Sequence, residues 1–317
     1  MKVVIAGGSG FLGQALATAL AVDSHDLVVL TRHPGGGQHA ATSRPGRIRP
    51  VAWAPTGEPG PWASEVDGAG AVVNLAGESI AGKRWSAAQK TRILDSRVRA
   101  TRSLVAAIRG ASAPPPVFVS GSAVGYYGPL GDEPVTEEAP PGADFLAGVC
   151  VHWEQEAARA ASDRTRLVCV RTGLVLGKDG GALPQMLPPF RLGAGGPVGS
   201  GRQYWPWIHR DDWVALVRWA ITATAVAGPV NATAPNPVTN ATFASALGRA
   251  MHRPAFMPAP AFALRLLLGE MADALLLSGQ RALPAKAQRL GFTFRFANAE
   301  DALAAIFAVR RDRSASE

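Results

Sequence analysis

Three glycines near the start of the chain carry the clearest chemical signal. Gly7, Gly10 and Gly13 form G-x-x-G-x-x-G directly after the apolar run Lys2–Ala6 (KVVIA), and they open a segment in which Phe11, Leu12, Leu16 and Leu20 fall at helical spacing. Strand, glycine turn and helix start, in that order, build an anion cradle. Gly7 permits the tight turn, Gly10 lets the backbone approach a pyrophosphate, and Gly13 allows close helix–strand packing. The helix start then offers free N–H groups and a positive dipole end to the phosphates. The next apolar run, Asp26–Thr31 (DLVVLT), distinguishes the two nicotinamide cofactors. An NAD site usually ends this strand with an acid that accepts from the ribose 2′-OH. Here the strand ends Leu30-Thr31-Arg32. The Arg32 fork suits a 2′-phosphate and Thr31 adds a hydroxyl donor, so the expected cofactor is NADP(H).

A second group of polar residues, Glu78, Lys83, Arg84 and Trp85, follows the run Gly70–Leu75 (GAVVNL). On the loop after that strand they could form a lid over the nicotinamide and hold cations toward an acidic substrate. Cys150 and Cys169, the two cysteines, give neither a disulfide framework nor zinc spacing, and no metal site is expected.

These residues need elements to position them, and the pattern supplies a doubly wound α/β sheet. Short apolar runs at Lys2–Ala6, Asp26–Thr31, Ile48–Trp53, Gly70–Leu75, Val117–Ser120 and Leu167–Arg171 read as buried parallel strands. Helical segments alternate with them, one running from an N-cap at Ser86 to about Arg109 and another over Phe145–Ala161. Beyond residue 173 the texture changes. Gly177–Gly201 is rich in Gly and Pro, Asp211–Thr224 reads as a helix and Gly228–Ala232 as a strand, with helices expected at Ala261–Leu268, Ala285–Leu290 and Ala299–Val309. The expected organisation is a Rossmann-type α/β domain over 1–173, completed by about 205–233. A smaller, discontinuous C-terminal substrate lobe takes 174–204 and 234–310, and 311–317 is a frayed tail.

Composition narrows the partners. The chain of 317 residues is 47% hydrophobic with net charge +8. The positive charge is scattered arginine rather than a basic block interleaved with aromatics, so a polyanionic cofactor accounts for it better than nucleic acid does. No run is long and apolar enough to span a bilayer, and glycines interrupt the apolar stretch after MKVVIA, so no signal peptide is expected. A cytoplasmic monomer or homodimer, with no nucleic-acid or membrane partner and a small-molecule substrate, is the expectation.

From the glycine triplet to about Phe307 the chain resembles the atypical extended short-chain dehydrogenases/reductases called epimerase family proteins, the YfcH-like relatives of nucleoside-diphosphate-sugar epimerases. The matching segments include Gly7–Gly13 (GGSGFLG), Asn74–Trp85 (NLAGESIAGKRW), Ser120–Gly128 (SGSAVGYYG), Arg171–Gly177 (RTGLVLG), Met186–Gly196 (MLPPFRLGAGG), Gly199–His209 (GSGRQYWPWIH) and Gly279–Pro284 (GQRALP). The resemblance implies that Gly7, Gly10, Phe11 and Leu12 lie under the pyrophosphate, and that Leu75, Ala76 and Gly77 pass beside the cofactor. Arg97 would reach it from the long helix. In Gly199–Asp212, Arg202 would clamp an acidic group, with Gln203, Trp205 and Trp207 as a stacking wall. Asp211 or Asp212 is expected to cap the following helix, and His209 to be structural.

The superfamily's usual catalytic pair, Tyr-x-x-x-Lys, is missing. Four residues beyond Tyr126, Tyr127 and Tyr204 stand Leu130, Gly131 and Ile208, and alignment through Trp153-Glu154 puts Leu146 and Cys150 at the pair's positions. Ser122 corresponds to the substrate-orienting serine, and Tyr126 or Tyr127 in the same loop could act as a relocated acid. An NADP(H)-dependent oxidoreductase or epimerase acting on a small polar, possibly nucleotide-linked substrate is therefore expected. The alternative is an NADP(H)-binding sensor or scaffold without turnover, a role that fits the cell-division link of some relatives.

Overall fold

The computed structural model describes residues 1–34 and 47–308. The expected tail at 311–317 lies outside the described residues. Seven strands form the central sheet: β1 (Lys2–Ala6), β2 (Asp26–Thr31), β3 (Ile48–Ala52), β4 (Ala71–Asn74), β5 (Val117–Ala123), β6 (Arg166–Thr172) and β7 (Gly228–Ala232). Their order is β7-β6-β5-β4-β1-β2-β3, and every pairing is parallel. The order reverses between β1 and β4, which opens a crevice at the carboxyl ends of the strands, where such sheets bind ligands. The helices include α1 (Phe11–Val22), α2 (Ala87–Gly110), α3 (Phe145–Ala158), α4 (Leu183–Arg191), α5 (Arg210–Thr222), α6 (Asn240–Met251) and α7 (Ala261–Leu268), with others after it at Ala285–Arg289 and Ala299–Phe307.

The run VVIA in β1 is apolar at every position because both faces of the sheet are covered. Successive side chains of a strand point to opposite faces. Val3 and Ile5 accordingly pack with Leu16 and Leu20 of α1 and with Trp213 and Leu216 of α5. Val4 and Ala6 pack on the other face with Leu104 and Ile108 of α2 and Ala157 of α3. Ser86 caps α2 as its sequence position suggests, its side chain accepting from the Gln89 N–H at 3.2 Å.

The Gly- and Pro-rich stretch hides a helix. In α4, Pro184 falls in the first turn, where its missing N–H costs nothing. Leu183, Leu187 and Phe190 point inward despite Pro188 and Pro189. They join Trp205, Trp207, Phe243 and Leu247 of the following segments in a third core that the central sheet does not share. Helix α6, capped by Thr239, was likewise not evident in the sequence.

The start of α5 differs from expectation. Neither Asp211 nor Asp212 caps it; His209 Nδ1 accepts from the Asp211 N–H at 3.1 Å. The neutral imidazole that this requires is favoured because burial lowers the His209 pKa, and the ring packs on Phe296 with centroids 4.2 Å apart. Buried Asp212 instead accepts from the backbone N–H groups of Arg295 and Phe296, both at 2.9 Å, and so fastens the C-terminal segment to α5. Asp212→Ala leaves those two donors without their acceptor and is expected to lower the unfolding free energy by about 2–3 kcal/mol in urea titration.

Candidate functional site

The glycine turn packs backbone against backbone, with no room for side chains at Gly7 and Gly13. Gly7 has φ +80°, and a Cβ there would stand 2.6 Å from the Leu75 carbonyl carbon. A Cβ on Gly13 would stand 2.2 Å from the Gly7 carbonyl oxygen, so helix and turn are as close as backbone allows. Gly10 is exposed at the N-cap of α1, and no side chain caps that end. The first turn therefore keeps its N–H groups for an anion. Phe11 is held from above by the β6–α4 connection, where a Cβ on Gly177, Gly180 or Gly181 would meet its ring within 3.0 Å. Thr31 is nearly buried at the end of β2, while Arg32 follows it exposed.

Across the crevice, β4 ends in Asn74, which is fully buried. Its side chain donates to Thr101 Oγ1 at 2.9 Å and accepts from the Ala76 N–H at 3.2 Å. This turns Leu75, Ala76 and Gly77 past the glycine cradle. Arg97 rises beneath them from α2. Its guanidinium donates to the carbonyls of Glu78 and Ile93 and lies 5.2 Å from the centroid of the Trp153 ring. A Cβ on Gly77 would come within 3.1 Å of that guanidinium, so glycine lets Arg97 lie directly under the turn. The structure thus brings the three chain segments expected at the cofactor to one edge of the sheet.

Ser122, Arg171 and Asn231 are cross-strand neighbours, since the register pairs Ser122 with Arg171 and Arg171 with Asn231. Buried Arg171 donates from Nε and Nη2 to the two carboxylate oxygens of Glu154, both at 2.8 Å. Ser122 Oγ donates to the same carboxylate at 2.6 Å. Burial alone would depress the Arg171 pKa, but the bonds and charge of Glu154 outweigh it and hold the group above the usual arginine range. Arg171 Nη1 also donates to the Tyr127 hydroxyl at 3.1 Å, and that hydroxyl donates to Asn231 Oδ1 at 2.7 Å. Glu137 completes the assembly by accepting from the backbone N–H groups of Asn231 and Lys286.

This arrangement changes the standing of two tyrosines. Tyr127 does not serve as a relocated acid: it is 2% exposed, its hydroxyl is already committed on both sides, and burial pushes its pKa up to about 12. Tyr126 is half-buried, with the Arg171 guanidinium 3.4 Å from its ring centroid. At the positions of the missing pair, Leu146 is half-buried and the buried Cys150 thiol, whose pKa burial raises to about 11, donates to the Ala123 carbonyl. Neither can replace a phenol or an amine there.

The two expected substrate loops are only partly exposed. Lys83 and Arg84 face solvent; Trp85 packs edge-on to Phe145 with centroids 5.2 Å apart and donates to the Ile80 carbonyl. Glu78 is half-buried, and its N–H donates to Ser96 Oγ. Arg202 is exposed. Trp205 and Trp207 form no stacking wall. They are 7% and 0% exposed in the third core, on two successive short strands, Tyr204–Trp205 and Trp207–His209, with Trp205 against Phe243 of α6. Gln203 spends its amide donors on the carbonyls of Val198 and Leu276.

With this geometry in place, comparison with known proteins gives a consistent result. Residues 3–232 match the NAD dependent epimerase/dehydratase family. The chain belongs to that family. Residues 259–306 match a further domain of unknown function, DUF1731. Among curated relatives, the chloroplastic epimerase family protein SDR39U1 homolog of Arabidopsis thaliana is 43% identical over 310 residues, covering 96% of this chain and 86% of that protein. YfhF of Bacillus subtilis is 37% identical over 313 residues, covering 98% and 99%. The crystal structure of human SDR39U1 with NADPH superimposes with a TM-score of 0.87 at 36% identity, covering 97% of this chain and 99% of that one. No helix among the described residues is long and apolar enough to cross a membrane.

Glu154, Arg171, Asn231 and Glu137 were not singled out from the sequence of this family member. Arg171 offered one signal, a charge ending the otherwise buried run LVCVR, which a parallel strand tolerates only when the charge is paired. Tyr127→Phe removes both bonds of the phenol and is expected to cost about 1–3 kcal/mol of stability while leaving dinucleotide binding intact. Because the folded pKa lies above the ordinary value of 10.0, wild-type stability declines as pH rises from 10.0 toward about 12. The difference between wild type and variant in denaturant melts should therefore shrink across that window.

Proposed function

We propose that the chain binds NADP(H) and oxidises or reduces a small polar substrate, with Ser122 meeting the substrate oxygen and Glu154 exchanging the proton. The observation that carries this reading is the 2.6 Å bond from Ser122 Oγ to Glu154 at the carboxyl end of β5. A hydroxyl has one proton, and here it is directed at the carboxylate, so lone pairs remain for an incoming hydroxyl. In the oxidising direction the substrate O–H proton moves to Ser122 Oγ as the Ser122 proton moves to Glu154, leaving a carbonyl and a neutral carboxyl; reduction reverses both transfers. Arg171 holds the carboxylate in place throughout by its two bonds. NADP(H), when bound, supplies hydride donation or acceptance.

The residues present fit that cofactor. The uncapped first turn of α1, with Gly10 exposed at its N-cap, suits the pyrophosphate. Arg32, exposed just past β2 where an NAD site carries an acid, suits the 2′-phosphate. The human relative's structure with NADPH supports the same assignment. Lys83, Arg84 and Arg202, all exposed, give the substrate loops a positive character that favours an acidic or phosphorylated substrate.

A second reading rests on Leu146 and Cys150, which leave the usual proton donor's place empty of chemistry: a family member that binds NADP(H) and reports on its redox state without turnover. Screening a panel of aldehydes, ketones, sugars and alcohols by NADPH absorbance separates the two. Turnover reduced at least about a hundredfold by Ser122→Ala and by Glu154→Gln, with NADPH affinity retained, supports the enzyme. Binding with no turnover of any compound supports the sensor. Arg32→Ala is expected to weaken NADPH binding by about 1–3 kcal/mol and to leave NADH nearly unchanged in calorimetry; equal losses for both would defeat the 2′-phosphate assignment.

A further inference from the structure

Helix α7 is an anomaly in the packing. Its sequence, AFALRLLL, is almost wholly apolar, yet none of its side chains is buried. Phe262, Leu266 and Leu267 are 74%, 78% and 71% exposed. Phe262 and Leu266, four residues apart, share one face. The exposure continues along the segment that leads into the helix. Phe256 is 74% exposed and Met257 50%, and Leu192, just past α4, is 84% exposed.

Backbone hydrogen bonds join the segments that carry these residues. The Met257 N–H donates to the Gly195 carbonyl at 3.0 Å and the Ala259 N–H to the Pro197 carbonyl at 2.8 Å, so 195–199 and 257–259 run side by side as a ribbon that ends at α7. The remaining exposed large apolar residues among the described ones, such as Val22 and Leu290, are scattered. Isolated exposed leucines are ordinary in folded proteins, whereas a connected strip marks an interaction surface.

The charges around the strip indicate what it meets. Arg191 precedes Leu192 and Arg253 precedes the Pro254–Met257 segment; both are exposed and have no acidic partner among the described residues. The nearby acids are neutralised within the fold, Glu270 by Lys90 at 2.5 Å and Asp273 by Arg265 at 2.8 Å. A second copy of this face would set its guanidiniums against those of the first, in a chain whose net charge is already +8. An anionic bilayer offers the complement, apolar depth for the phenylalanines and leucines with phosphate at the level of the arginines.

We propose that the ribbon and α7 rest on an anionic lipid surface as a peripheral contact, which revises the expectation of no membrane partner without requiring a span. The inference is independent of the reading of the cleft. It is tested by co-sedimenting the full chain with phosphatidylcholine vesicles, with and without phosphatidylglycerol. Pelleting with the anionic vesicles is expected, weakened by salt. It should fall about tenfold or more in a Phe262→Ser, Leu266→Ser double variant and in an Arg191→Gln, Arg253→Gln double variant. Thermal melts should show both variants folded, since all four side chains are exposed. Recovery in the supernatant with both vesicle types, or equal pelleting on both, overturns the proposal. So does a dimer in sedimentation velocity that the Phe262→Ser, Leu266→Ser variant dissociates, since a second copy then covers the strip.

Discussion

The bidentate pair between Arg171 and Glu154 is the contact on which the arrangement around Ser122 depends. A guanidinium that is 3% exposed survives inside an α/β sheet only if its charge and donors are met. Here a carboxylate, a phenol and a backbone carbonyl meet them. Removing one member of such a buried pair typically costs about 3–5 kcal/mol, because the other is left charged in a poor solvent. The pair also ties α3 to β6, and through Ser122 it reaches β5. Stability and site geometry therefore rest on the same atoms.

That contact follows from the parallel register. Strands β5, β6 and β7 bring Ser122, Arg171 and Asn231 side by side. Side chains paired across neighbouring strands point to the same face. Helix α3 covers that face and supplies Glu154, while the short helical turn after β5 supplies Tyr126 and Tyr127. The crevice on the other side of β4 is organised differently, by backbone. Gly7, Gly13 and Gly77 make room where any side chain would collide with Leu75, with Gly7 or with Arg97. One half of the edge is shaped by close backbone packing at glycines, the other by a polar side-chain network.

Much of this was legible in the amino-acid order. The runs KVVIA, DLVVLT and GPVNA coincide with β1, β2 and β7 residue for residue, and Ser86 caps α2. Continuous apolar runs bounded by glycine are a strong local signal when both faces are covered. Helix α4 was not legible, because Pro188 and Pro189 argue against a helix locally and only the burial of Leu183, Leu187 and Phe190 sustains one. Trp205 and Trp207 were misplaced for a related reason. A tryptophan a few residues from an arginine looks the same in sequence whether it lines a cleft or fills a core.

By itself the sequence determined the doubly wound sheet, the glycine cradle and the absence of a Tyr-x-x-x-Lys pair, because each depends on neighbours a few residues apart. Only the tertiary structure decided that Tyr127 is a buried strut, that His209 rather than an aspartate caps α5, and that Glu154 is the partner of Ser122. Ser122 and Glu154 are separated by a loop and most of a helix, and Tyr127 meets Asn231 across more than two strands of chain. Hydrogen bonds between such distant residues are set by strand register and helix rotation, which local spacing does not encode.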